Sequence, residues 1–142
     1  MNIILFGPPG AGKGTQAKNL EKKLNNFQIS TGDMLRDEIK KESEIGKKII
    51  NYMNEGKFVD DEIVNKLMKN VIFDPKKKNK LIFDGYPRTV NQAKHLENLL
   101  TKSNQKLDYI FFLNVTKDEI IKRIEKRKNL EKRLDDEADT IL

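Results

Sequence analysis

Short apolar runs alternate along this chain with longer amphipathic segments. Four runs are rich in β-branched and aromatic side chains, and each is followed by a glycine or a polar residue. Runs of this length and composition are typical of strands buried in a sheet. They cover residues 2–6, 27–29, 81–83 and 109–113.

Helical periodicity occupies most of the sequence between these runs. Ala17, Leu20 and Leu24 share one face of a segment that begins after Gly12. The sequence 30–33, Ser-Thr-Gly-Asp, has the pattern of a capping box and predicts a helix through Ile39. Further helices are predicted over 43–55, from Asp60 or Asp61 to the Asp74-Pro75 break, over 89–100, over 117–127, and from Asp135-Asp136 onward. Strands that alternate with helices predict a parallel sheet covered by helices on both faces.

The chain has 142 residues, enough for one domain with a core. It carries 28 Lys and Arg against 22 Asp and Glu, a formal net charge of +6. A basic excess can indicate nucleic-acid binding. Here the lysines lie in runs or at helical spacing among acids, without the interleaved aromatics of a single-strand-binding surface. We therefore interpret them as a solvated surface that also suits polyanionic small substrates, and we expect no nucleic-acid partner.

Cysteine is absent, so neither a disulfide framework nor a cysteine-based zinc site is expected. The first residues lack the basic leader and the long apolar stretch of a signal peptide. No apolar segment approaches the length of a membrane span. We expect a cytoplasmic protein with no membrane partner. The single histidine, His95, is expected at the surface or at its boundary with the core.

Residues 7–13, Gly-Pro-Pro-Gly-Ala-Gly-Lys, fit the pattern of a phosphate-binding loop. Glycines allow the backbone to curl so that several N–H groups face one phosphate. The helix that follows points its positive N-terminus at the same place, and Lys13 adds a full charge. A chance glycine turn is the alternative, but the loop follows a predicted strand and begins a helix, which favours phosphate binding.

The position after the lysine is unusual for such a loop. Ser or Thr normally binds Mg²⁺ there, whereas this chain has Gly14 and places the hydroxyl at Thr15. We therefore expect Mg²⁺ to be held mainly through water and a carboxylate elsewhere. Asp84 is the candidate, because it ends a predicted strand at the sheet edge where ligands bind in open α/β sheets. Its alternative role is to cap the turn that follows.

Three segments closely resemble the signature segments of adenylate kinases, in the family's order and spacing. They are Gly-Pro-Pro-Gly-Ala-Gly-Lys-Gly-Thr-Gln at 7–16, Ser-Thr-Gly-Asp-Met-Leu-Arg at 30–36 and Asp-Gly-Tyr-Pro-Arg-Thr at 84–89. Arg123, Arg127 and the segment 133–136 continue the match. The resemblance implies an α/β fold, a P-loop three-layer sandwich with a parallel sheet, an AMP-binding helical arm and a short, zinc-free lid. Thr31 and Thr89 are the choices of adenylate kinases rather than of UMP/CMP kinases.

The resemblance also implies roles for individual residues. The catalytic set is Lys13, Arg88, Arg127 and Arg133. ATP would be held by Gly10, Ala11, Gly12, Lys13, Gly14, Thr15, Arg123 and Arg127. AMP would be held by Thr31, Arg36, Lys57, Phe58, Val59, Gly85, Tyr86, Pro87, Arg88, Gln92 and Arg133. Gln92 carries a donor and an acceptor that suit the N6/N1 edge of adenine; taken without the resemblance, it would be an exposed helix residue.

The same resemblance implies a division of the chain. Residues 1–29 and 60–125 form the core, 30–59 the AMP-binding arm, 126–136 the lid, and 137–142 the start of a further core helix. Members of the family continue beyond this point with another lid-side arginine, a fifth parallel strand and a final helix, all absent from these 142 residues. We therefore expect exposed apolar surface and weak or absent turnover.

The expected reaction is reversible in-line phosphoryl transfer from ATP to AMP, giving two ADP, with Mg²⁺ as cofactor and a monomeric protein. Two alternatives remain open: another nucleoside monophosphate kinase acting on UMP or CMP, and a nucleotide-binding fragment without catalysis. Nucleic-acid binding driven by the net charge is a third, and it predicts a steep dependence of affinity on salt.

Overall fold

The computed structural model describes residues 1–54 and 59–131. Its sheet contains four strands, all of them parallel, in the order β2-β3-β1-β4. The four predicted runs are confirmed, with ends that differ by one residue. The strands are β1 (Ile3–Phe6), β2 (Phe27–Ser30), β3 (Leu81–Asp84) and β4 (Tyr109–Phe112).

Six α-helices and one 3₁₀ turn connect or follow these strands in the described part of the chain. They are α1 (Lys13–Leu24), α2 (Thr31–Lys40), α3 (Glu44–Asn54), α4 (Asp61–Ile72), the turn Pro75–Lys77, α5 (Val90–Lys102) and α6 (Lys117–Glu131). None of these helices is long and apolar enough to cross a membrane.

The starts of three helices, α2, α4 and α5, follow from local side-chain caps. Ser30 Oγ accepts from the Asp33 N–H at 3.2 Å, as the predicted capping box requires. Asp60 caps α4 by accepting from the Glu62 N–H at 2.9 Å, and Thr89 caps α5 by accepting from the Gln92 N–H at 3.1 Å. The starts of α2, α4 and α5 are therefore set largely by a few residues of their own.

One predicted helix end was wrong. The last helix described, α6, continues to Glu131, four residues past the predicted end at Arg127. The residues Lys128–Glu131 are Lys, Asn, Leu and Glu, of which all but Asn are good helix formers, and nothing among them stops a helix. Residue 55, the predicted end of the helix over 43–55, and the predicted last helix from Asp135 lie outside the described residues.

Helices cover both faces of the sheet, which confirms the three-layer arrangement. On one face the strands pack against α4 and α5 through an apolar cluster centred on Phe83, Met68 and Leu96. On the other face Ile3, Leu5 and Ile82 pack around Ala17 of α1. The central strands β1 and β3 are consequently buried on both sides.

Strand β4 is different, because it has a hydrogen-bonded neighbour only at β1 within the described sheet. Its four side chains, Tyr109 to Phe112, are between 47% and 70% exposed. This confirms the expectation of exposed apolar surface.

A polar network that the sequence did not predict lies at the amino end of the sheet. Asn2 is 0% exposed, and its amide nitrogen donates to the Lys106 carbonyl oxygen at 2.9 Å and to Gln105 Oε1 at 3.3 Å. Its amide oxygen accepts from the Leu81 N–H at 3.1 Å. Gln105 in turn donates to the Ile72 carbonyl oxygen at 2.9 Å. The network ties β1, β3 and the loop before β4 together at the edge opposite the phosphate-loop motif.

Candidate nucleotide-binding site

The loop between β1 and α1 is built by glycines in the left-handed region. Gly10 has φ 80° and Gly12 has φ 94°, values that side chains rarely adopt. A Cβ at Gly10 would lie 2.9 Å from Ile124 Cγ1, so the loop rests directly on α6. Gly12 precedes α1 with no side-chain cap, which leaves the first N–H groups of that helix facing the loop. Such groups are suited to an anionic oxygen.

Lys13 is folded back into this loop. Its Nζ donates to the Gly7 carbonyl oxygen at 2.8 Å and to the Pro8 carbonyl oxygen at 3.0 Å. Burial lowers the pKa of Lys13, the carboxylate of Asp84 opposes that shift, and Arg88 and Arg127 add to it. The structure therefore brings these four predicted residues into one electrostatic environment.

Asp84 lies beside the loop at the carboxyl end of β3. It is 8% exposed, and a Cβ added at Gly14 would be 3.4 Å from its Oδ2. Burial raises the pKa of Asp84; the hydrogen bond from Gln28 and the charge of Lys13 act in the opposite direction. A buried carboxylate next to the phosphate-loop motif, with no Ser or Thr after the lysine, would suit a Mg²⁺ ion held mainly through water and this carboxylate. Over the described residues, no group of three or more acidic or histidine side chains is placed to form a protein-only metal site.

Sequence reasoning missed Gln28. This residue lies on β2, and its Nε2 donates to Asp84 Oδ2 at 3.0 Å. The partners are 56 positions apart in the sequence, and strand pairing of Ser30 with Asp84 brings them together. The only available signal was a polar side chain inside a short apolar strand.

Several of the residues predicted to bind AMP lie along the same sheet edge, around Gly85. Thr31 Oγ1 donates to the Gly85 carbonyl oxygen at 3.0 Å, and Arg88 Nε donates to that oxygen at 2.8 Å. Gly85 has φ 76°, and a Cβ there would meet Arg88 Nη2 at 3.0 Å. Arg36 extends from α2 and forms an ion pair with Asp33 at 2.6 Å. Thr31, Gly85 and Arg88 are thus directly linked.

Tyr86 and Pro87 follow, joined by a cis peptide bond. The Tyr86 ring is buried in the core, and its hydroxyl lies 3.1 Å from Asn65 Oδ1 and 3.3 Å from the Gln92 carbonyl oxygen. Burial, with a smaller contribution from Asp61, raises the pKa of Tyr86 to about 12. The side chain of Tyr86 therefore packs inside the protein as a neutral phenol.

Gln92 is 6% exposed, so the alternative interpretation as an exposed helix residue was wrong. Its Nε2 donates to Asp61 Oδ1 at 2.6 Å, and its Oε1 accepts from the Arg88 N–H at 2.7 Å. His95, one turn further along α5, is half-buried, which agrees with the predicted boundary position.

The helix α6 brings the predicted ATP-side arginines to the loop. Arg123 Nη1 donates to the Ala11 carbonyl oxygen at 3.2 Å, and its Nε donates to Glu119 Oε1 at 2.8 Å. Arg127, one turn later, contributes to the electrostatic environment of Lys13. Val59 is half-buried against the core. The predicted residues Lys57, Phe58 and Arg133 lie outside the described residues.

Together these features define a class: a parallel α/β protein with a phosphate-loop motif and several basic side chains at the carboxyl edge of its sheet. The family model "Adenylate kinase" matches residues 5–142. The chain belongs to the adenylate kinase family, which confirms the resemblance seen in its sequence.

Curated relatives named adenylate kinase support the assignment of the chain to this family. The chain is 54% identical over 132 residues to the one from Pelagibacter ubique, an alignment that covers 93% of this chain and 62% of that protein. It is 51% identical over 127 residues to the one from Mycoplasma capricolum, with 89% and 59% covered, and 45% identical over 128 residues to the one from Archaeoglobus fulgidus, with 90% and 59% covered. The chain therefore spans about three fifths of the length of these relatives.

Proposed function

We propose that this chain carries the phosphate-loop and AMP-binding parts of an adenylate kinase that transfers the γ-phosphate of ATP to AMP and releases two ADP. The observation that carries the proposal is the convergence of Lys13, Asp84 and Arg88 at one sheet edge, with Arg123 bonded to the phosphate loop. The whole reaction is proposed from this chain's residues together with the family membership.

On the ATP side, the backbone N–H groups of residues 10–15 surround the phosphates, and Lys13 leaves the carbonyl oxygens of Gly7 and Pro8 to reach them. These two bonds join the ammonium group to uncharged carbonyl oxygens, so a polyanion competes with them through the attraction between full opposite charges. Arg123 lies against the ATP base, and Arg127 reaches the phosphates. When bound, Mg²⁺ would supply positive charge that offsets the charge of the ATP phosphates, and Asp84 is the residue that would hold it, mainly through water.

On the AMP side, Arg36 and Arg88 bind the phosphate of AMP. Each guanidinium can present two parallel N–H groups to two phosphate oxygens, which fixes the direction of the acceptor oxygen as well as its position. Thr31, Gly85 and Val59, with Lys57 and Phe58, surround the nucleoside. Tyr86 and Pro87, whose side chains are buried, contribute through their backbone, and Gln92 binds the adenine edge.

The transfer step needs positioning and positive charge more than it needs a covalent catalyst, because the transition state of phosphoryl transfer is loose. Lys13, Arg88, Arg127 and Arg133 spread positive charge over the transferring group. We propose that residues 126–136 act as a short lid that excludes water and so prevents hydrolysis of ATP. The protein is proposed to be a cytoplasmic monomer that acts on ATP, AMP and ADP.

Removing the charge of Lys13 tests the proposed function directly. The variant Lys13→Ala should lower the rate of ADP formation by at least about 10²-fold, as expected when a group that stabilises transition-state charge is removed. Lys18→Ala removes an equal charge from an exposed position on the same helix and should leave the rate unchanged. A rate for Lys13→Ala within threefold of the parent would refute the assignment. Binding of a two-nucleotide inhibitor by the parent chain without turnover would favour nucleotide binding without catalysis.

A further inference from the structure

The side-chain amide of Gln92 is held at both ends. Its Nε2 donates to Asp61 Oδ1 at 2.6 Å, and its Oε1 accepts from the Arg88 backbone N–H at 2.7 Å. The other oxygen of Asp61 accepts from Thr89 Oγ1 at 3.2 Å, which fixes the carboxylate. Asp61 begins α4, Thr89 caps α5, and Gln92 lies in the first turn of α5. The three side chains thus connect two helices that pack against each other.

The chemistry of the two anchors allows only one direction of the amide. An ionised carboxylate can only accept hydrogen bonds, and a backbone N–H can only donate. If the amide rotated by half a turn, its oxygen would face the Asp61 carboxylate and its NH₂ group would face the Arg88 N–H. Both bonds would be replaced by repulsive contacts in a site where Gln92 is 6% exposed and water cannot substitute freely.

The fixed amide still has binding capacity. An amide carries two N–H donors and two acceptor lone pairs, and the anchors use one of each. One N–H and one lone pair remain, and the anchors determine which end of the amide offers the donor and which the acceptor. Adenine offers an amino donor at C6 and an acceptor at N1, whereas a 6-oxo purine such as hypoxanthine offers an acceptor at C6 and a donor at N1. Because the arginines bind the AMP phosphate, they fix where the base lies. One direction of the amide then pairs with one of these purine edges and repels the other.

We propose that Asp61 is a specificity-determining positioning residue: it holds the Gln92 amide in the direction that accepts a 6-amino purine and rejects a 6-oxo purine. This inference rests on the proposed AMP site. Asp61 does not touch the nucleotide itself; it acts through Gln92, and the Arg88 N–H is the second anchor of the same amide.

The variant Asp61→Asn tests this directly, because an asparagine can turn its own amide to donate as well as to accept. AMP and IMP are titrated separately into each protein by calorimetry, and the ratio of their affinities is compared. The parent should favour AMP, and Asp61→Asn should reduce that preference by at least about fivefold, the lower end of the discrimination that a bidentate amide–purine pair provides. Glu62→Gln is the matched control, since Glu62 is an exposed acid in the same first turn of α4, and its ratio should equal that of the parent.

The ratio is insensitive to partial unfolding, because a reduced folded fraction weakens both apparent affinities by the same factor. An unchanged AMP:IMP ratio in Asp61→Asn, with AMP still bound by the parent, would overturn this inference and leave the proposed function standing. An equal change in Glu62→Gln would also overturn it, because the effect would then come from the charge at the helix start. Failure of the parent chain to bind AMP would overturn the proposed function and the inference with it.

Discussion

Replacing Gly46 with alanine should destabilise the arm formed by α2 and α3. Gly46 lies in the first turn of α3, where its N–H donates to Ser43 Oγ at 2.9 Å. A Cβ at this position would overlap the Glu38 carbonyl oxygen and would lie 2.8 Å from the Glu38 carbonyl carbon and 3.1 Å from Ile39 Cα. All three are backbone atoms of α2, so no side-chain rotation can relieve the contact, and the two helices must separate.

The size of the effect follows from two opposing contributions. Alanine stabilises a helix interior by about 1 kcal/mol relative to glycine. Overpacking costs about 1–3 kcal/mol, and contact with backbone atoms that cannot rotate away places this case at the upper end. We therefore expect Gly46→Ala to lower the free energy of unfolding by about 1–2 kcal/mol.

Gly32→Ala is the matched control within α2. A Cβ there would meet Arg36 Nη2 at 3.1 Å and Arg36 Nη1 at 3.2 Å, and these atoms are the far end of a flexible side chain. The arginine can move, so the helix preference of alanine should keep the free energy of unfolding within about 0.5 kcal/mol of the parent or raise it.

Urea unfolding followed by circular dichroism gives the free energy of unfolding for the parent and both variants. If Gly46→Ala proves as stable as Gly32→Ala, the reasoning fails, because the close approach of α3 to α2 would then not limit the side chain. Loss of stability in Gly46→Ala should also weaken AMP binding, since α2 carries Arg36.

Two further predictions concern buried polar groups. Burial raises the pKa of Asp84 above its unfolded value of about 3.9, so the ionised side chain destabilises the folded chain. This penalty is fully present above the folded-state pKa and disappears below the unfolded value. Asp84→Asn should therefore raise the thermal midpoint of the ligand-free chain near pH 7, with a gain that vanishes as the pH falls below about 3.5; a gain independent of pH would contradict this. Asn2→Ala leaves the Leu81 N–H without its partner and should reduce the free energy of unfolding by about 2–3 kcal/mol, whereas the exposed Asn19→Ala should change it little. Equal urea midpoints for these two variants would show that the Asn2 network contributes nothing.

Local sequence accounts for much of the fold, because the determining interactions span few residues. The caps at Ser30 and Asp60 bond to N–H groups two or three positions away. The glycines of the phosphate loop need only their own φ values. Composition alone separates the four strands from the helices. The family itself was recognisable because three continuous segments carry its signature.

The sequence-based predictions were wrong where one local pattern is compatible with two structures. The helix predicted over 117–127 ended too early, because the helix preference of Lys128, Leu130 and Glu131 continues α6 to Glu131. The resemblance assigned Gln92 to the AMP site, whereas an amphipathic pattern alone gives no sign that this polar residue near a helix start is buried.

What the sequence by itself determined is the set of elements, the phosphate loop and the family. Only the tertiary structure decided which partners orient the site. Gln28 is hydrogen-bonded to Asp84, Asp61 to Gln92, and Arg123 to the Ala11 carbonyl oxygen. The physical reason is distance along the chain, since these pairs are 56, 31 and 112 positions apart. Such bonds form only after parallel strand pairing and helix packing have placed the side chains together, and no local periodicity encodes that arrangement.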